Sequence, residues 1–128
     1  MPELLPSPEV RPEEPIARHC RHGSGMRKGE GRAHFSVFMP DAERELSVVR
    51  SGGISEDDVR SIGARHVGQD LKGHATVSAS VILDRGLNIH PDGDPHPRHA
   101  NVLNWDEDDS RNRLHAKAIA NATTLTPY

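Results

Sequence analysis

Leu46-Ser47-Val48-Val49-Arg50-Ser51-Gly52-Gly53-Ile54-Ser55-Glu56-Asp57-Asp58-Val59 runs on through Ile62, Gly63 and His66 to Val67, and this stretch decides the fold class. Its first part is a short β-branched run halted by a glycine pair, the pattern of a strand entering a turn. Its second part is a signposted helix. Ser55 is a good N-cap, Glu56, Asp57 and Asp58 place acid at the positive pole, and Ile54 can staple onto Val59. Val59, Ile62, Gly63, His66 and Val67 then share one helical face, with Gly68 expected to close the helix in the left-handed conformation.

Working outward, His34–Met39 alternates like a strand and is stopped by Pro40-Asp41; with Leu46–Val49 it predicts an antiparallel hairpin. Residues 74–77 are expected as a strand and 78–85 as a short helix ended by Gly86, with an all-strand reading of 75–83 left open. Leu87-Asn88-Ile89 and Ala100–Trp105 read as further strands, with Trp105 a core anchor. A final helix is expected to start at a cap on Asp106 and to bury Leu114, Ala118, Ile119, Ala122 and Leu125. The predicted class is α+β: a small, mostly antiparallel sheet covered by two main helices, with a disordered N-terminal arm.

The arm is assigned from composition. Pro2, Pro6, Pro8, Pro12 and Pro15 alternate with acid over the first fifteen residues. Such a segment lacks donors and apolar surface, so its removal is expected to leave stability unchanged. Residues 16–31 are glycine-rich and extend the arm, which sets the compact domain at 32–128.

Two segments resemble a loose group of small, uncharacterised bacterial proteins: Leu46-Ser47-Val48-Val49-Arg50-Ser51-Gly52-Gly53-Ile54-Ser55 and His99-Ala100-Asn101-Val102-Leu103-Asn104-Trp105. In that group a proline often follows the tryptophan, where Asp106 stands here. The resemblance spans the last two thirds of the chain. It implies a compact domain and no activity.

With 128 residues and a formal net charge of -3, the chain is one domain without a whole-chain signature of nucleic-acid binding. A single cysteine precludes an intrachain disulfide and fits a reducing compartment, so the expected location is cytoplasmic. No apolar run reaches the length of a membrane span.

Chemistry concentrates in a few places. The loop carrying His90, Asp92, Asp94, His96 and His99 is the densest set of possible ligands, and imidazole with carboxylate suits zinc, manganese or non-haem iron. Pro97 bars a regular helix between His96 and His99, and the competing expectation is a rigid, exposed loop without cofactor. Arg18, Arg21, Arg27, Lys28 and Arg32 form a basic segment able to meet a protein partner or, less favourably, nucleic acid. His19-Cys20-Arg21-His22, with His34, is a second possible metal cluster, or a reactive surface thiol. His66 and His115 read as packing residues. Arg50-Ser51-Gly52-Gly53 precedes a helix but lacks a Walker lysine, so it reads as a turn. No catalytic residue is assigned. The leading expectation is a non-enzymatic interaction or regulatory module acting with a protein partner, and the alternative is a metal-dependent enzyme, such as a hydrolase, built on His90, His96 and His99.

Overall fold

A computed structural model describes residues 6–128. It is an α+β fold: a six-stranded antiparallel sheet with helices on both faces. In chain order the elements are β1 (Pro15–Cys20), β2 (Met26–Arg27), β3 (Arg32–Ala33), β4 (Leu46–Arg50), α1 (Glu56–His66) and β5 (Gly73–Ser78). Then follow α2 (Ala79–Leu83), β6 (Asn88–His90), β7 (His99–Leu103), α3 (Asp109–Asn121) and β8 (Thr124–Pro127). The sheet runs β6-β7-β4-β1-β5-β8, and β2 with β3 makes a separate two-stranded ribbon.

The sheet alternates as strand geometry requires, and its two faces differ. One face presents Ile16, Leu46, Val48, Ala75, Val77, Ala100 and Val102 to Phe38, Ile82, Trp105, Ala116, Ile119 and Ala120, which form the main core. The other face carries a small apolar cluster of Ala17, Val49, Val59 and Ile62 beneath α1. The α1 start is as expected. Ser55 Oγ accepts from the Asp58 amide at 3.1 Å, while the Asp58 carboxylate accepts from the Ser55 amide at 3.2 Å, a reciprocal capping box. The strand and helix around residues 73–83 also form, and Gly86 takes the left-handed conformation that ends the turn, with φ 78°.

The domain does not begin at residue 32. β1 pairs with both β4 and β5 near the centre of the sheet, and Ile16 and Ala17 are fully buried. Arg18 interrupts its apolar alternation, and Pro15 sits at the first strand position, where a missing donor is tolerated. Residues 1–5 of the expected arm lie outside the described residues, but 10–14 are bound to the domain. Prolines remove donors and leave acceptors intact. The carbonyls of Glu14 and Pro12 accept from the first amides of α2, Ala79 at 2.8 Å and Ser80 at 2.7 Å, satisfying groups that the helix itself cannot. The Glu14 carboxylate grips the buried Arg50 guanidinium at 2.7 and 3.2 Å. Loss of this segment would leave a buried charge unpaired, so the expected neutrality of its removal does not follow.

Four further expectations change. Phe35–Phe38 is a 3-10 turn rather than a strand: His34 Nδ1 caps it by accepting from the Ser36 amide at 3.2 Å, and Phe38 points into the core. No 34–39 hairpin forms. Gly68 is not left-handed, and α1 closes with the Val67 and Gly68 amides on the Gly63 carbonyl. The α3 cap is Asp108, because buried Asn112 binds the Asp106 amide and carbonyl, both at 2.8 Å, and draws that residue out of the cap. The buried stripe is therefore Asn112, Ala116, Ile119 and Ala120, with Leu114 60% exposed, while Leu125 belongs to β8.

Candidate functional site

The sheet face beneath α1 is where polar side chains gather. Period-2 alternation puts His19 of β1, Ser47 of β4, and His99 and Asn101 of β7 on this side, because their neighbours fill the main core. Beside α1 a groove of about 370 Å³ is lined by His19, His66, His96 and His99 with Arg18 and Arg21. That volume is within the range of small-molecule sites.

His99 on the groove wall belongs to a fixed carboxylate–imidazole pair. Asp92 Oδ1 accepts from His99 Nδ1 at 2.6 Å and from the Asp94 amide at 3.3 Å. Its Oδ2 accepts from Asn101 Nδ2 at 3.0 Å. The carboxylate is thus held at both oxygens, and the ring it orients has Nε2 without a hydrogen bond among the described residues. Burial alone would raise the Asp92 pKa; the His99 hydrogen bond, the Asp94 amide and the imidazole charge outweigh it and hold the carboxyl below its ordinary range.

His96 stands next to this pair, edge to face with His99 at 5.7 Å and tilted against the His66 ring at 4.9 Å. Its Nδ1 accepts from the Arg98 amide at 3.2 Å, which places the proton of the neutral ring on Nε2. Burial, then the neighbouring His66, His99 and His19 rings, push its pKa down to about 4, against a small opposing pull from Asp92. His19 is also kept neutral by burial and donates through Nε2 to the Val59 carbonyl at 2.8 Å. This contact needs the absence of a side chain at Gly63, where a Cβ would stand 2.5 Å from His19 Nε2.

The expected ligand set is therefore split. The fold brings Asp92, His96 and His99 together and leaves His90 and Asp94 exposed, without side-chain hydrogen bonds among the described residues. Among these residues no group of three His, Cys, Asp or Glu side chains is placed to hold a metal ion. Nor is the loop simply exposed: His96 and Arg98 are buried, and Arg98 Nη1 donates to the carbonyls of Arg50 at 2.9 Å and Gly52 at 2.7 Å. The second cluster is also dispersed. Cys20 is buried and its thiol is pushed up to about 11 by burial, the reverse of a reactive surface thiol.

The basic segment is no continuous patch. Arg18 donates to the Val37 and Ser47 carbonyls, and Arg27 and Arg32 both pair with Glu30. Only Arg21 and Lys28 stay exposed without an ion pair among the described residues. His74, unremarked in sequence, is fully buried between the Glu56 carboxylate and the Tyr128 hydroxyl, the latter at 2.6 Å. His99 and Asn101 were findable by their i, i+2 spacing on one strand. Asp92 joins them only through the Pro91–Pro97 loop, which no local pattern foretells.

No protein-family model matches the chain, and neither does any curated protein or solved structure. Among the described residues no helix is long and apolar enough to cross a membrane.

Proposed function

We propose that the protein acts on a small molecule held in the histidine groove, by proton transfer through His99. The observation that carries this reading is His99 on the groove wall, held by its hydrogen bond to Asp92. A base held by a third group is the arrangement that general acid–base and nucleophilic sites share. Asp92 fixes Nδ1, and Nε2 is then the nitrogen that serves the groove. His96, neutral and protonated at Nε2, supplies a hydrogen-bond donor beside it. Ser47 lines the same groove, but its hydroxyl lies against Asn101 Oδ1 at 3.5 Å, so the support is for base chemistry rather than for a serine nucleophile.

The test is turnover of small ester, phosphomonoester and cyclic phosphodiester substrates by the native chain, His99→Gln and Asp92→Asn. General acid–base assistance contributes on the order of 100- to 10,000-fold, so His99→Gln should lose at least about a hundredfold and Asp92→Asn a substantial part of that. Equal rates in all three proteins would sink the proposal. Binding without turnover is the second reading, in which the chain is a non-enzymatic interaction or regulatory module for a protein partner. The exposed Arg21 and Lys28 are its support.

A further inference from the structure

We propose that the groove recognises its small molecule through an anionic group, phosphate or carboxylate, seated between Arg18 and Arg21. This rests on the groove being the functional site and adds the class of ligand.

Arg18 is fixed at two points. Its Nε donates to the Val37 carbonyl at 3.2 Å and its Nη1 to the Ser47 carbonyl at 2.9 Å. Those bonds set the guanidinium plane, and Nη2 has no hydrogen bond among the described residues. Both contacts are to neutral carbonyls, so the positive charge is held on the wall without an ion pair. Burial, and then the charge of Arg21, lower the Arg18 pKa, the signature of a cation kept in a place that disfavours it. The two arginines line both the main groove and a second cavity of about 210 Å³, so they stand where the two spaces meet. A bridging anion would remove their repulsion and accept two charge-assisted hydrogen bonds.

The other groups on the groove leave room for that charge. His19 and His96 are kept neutral by burial, and no carboxylate stands among the four histidines except Asp92, which is committed to His99 and Asn101. Asp41 and Glu45 also line the groove, and the Asp41 charge reaches Arg18, where it opposes the lowering of its pKa. Asp41 Oδ1 accepts from the Glu43 and Glu45 amides, both at 3.0 Å, and serves its own turn, while Glu45 is exposed. An anion at the arginines places the body of the ligand along Ile62, Val67 and Pro95, towards His96 and His99.

Calorimetric titration of the full chain with phenyl phosphate, benzoate and neutral benzamide tests this. At least one of the two anions should bind, benzamide at least about tenfold more weakly, and the anion's affinity should fall with added salt. Whichever anion binds more tightly identifies the group. Arg21→Gln alters an exposed side chain, so it should keep the native unfolding midpoint yet lose about tenfold in anion affinity. Equal binding of benzamide, an unaffected Arg21→Gln, or failure of both anions to bind would each overturn the inference. His99→Gln separates it from the proton-transfer reading: it should retain anion binding while turnover is lost. Anion binding with no His99-dependent turnover removes only the catalytic reading, and turnover without anion preference removes only this one.

Discussion

The two faces of one sheet are built from different chemistry. The face against α2 and α3 is a continuous apolar layer with Phe38, Ile82 and Ile119 fully buried. The face against α1 has four buried apolar residues and is otherwise joined by histidines: His19 to the Val59 carbonyl, His74 to Glu56, and His96 against the His66 ring. Burial energy scales with apolar area, so the first face supplies the stability. Desolvated imidazoles cost stability, so the second face holds groups that packing alone would not select. The contrast supports placing the proposed site on the side where the fold accepts a penalty.

Breaking the apolar face should have the largest effect. Phe38→Ala empties a fully buried site and is expected to cost about 3–5 kcal/mol, read from urea denaturation. A loss below about 1 kcal/mol would mean that this layer is not the main store of stability.

The histidine face should respond instead to pH. His96 is 9% exposed and its pKa is lowered from 6.5 to about 4. Between those values the unfolded chain carries a proton on this ring that the folded chain does not. Stability therefore falls as pH drops from about 6.5 towards 4, by an expected 1–3 kcal/mol or so from this group. His96→Gln should flatten that part of the stability–pH curve. An unchanged slope would show that the ring titrates alike in both states.

The close approach of α1 can be probed at one atom. Gly63→Ala introduces a Cβ against His19 Nε2 and, at 2.6 Å, Leu71 Cδ1. Despite the better helix propensity of alanine, the variant should lose about 1–3 kcal/mol from overpacking. A neutral or stabilising outcome in the same denaturation assay would show that α1 sits loosely on its face.

The smallest effect concerns a feature independent of either face. Ser55→Ala removes the acceptor for the Asp58 amide and should cost about 1 kcal/mol by urea denaturation. No loss would place the start of α1 elsewhere.

The sequence alone determined the elements whose signals are local. The capping box at Ser55 and Asp58, the left-handed Gly86 and the β-branched run of β4 each depend on a few neighbouring residues, so the α+β class and the start of α1 were legible. What the tertiary structure decided depends on partners far along the chain. Pro12 and Glu14 look like parts of a free arm until α2 supplies amides for their carbonyls and Arg50 a charge for the carboxylate. Asn112 reads as a surface residue until the Asp106 backbone completes its hydrogen bonds and shifts the face of α3 that is buried. The site divides in the same way. His99 and Asn101 could be placed on one strand face by their spacing, but their convergence with Asp92, His96, His66, Arg18 and Arg21 needed β7 to pair with β4, β4 with β1, and α1 to lie across them. Local propensity encodes elements, whereas a site is made by the long-range pairings that pack them.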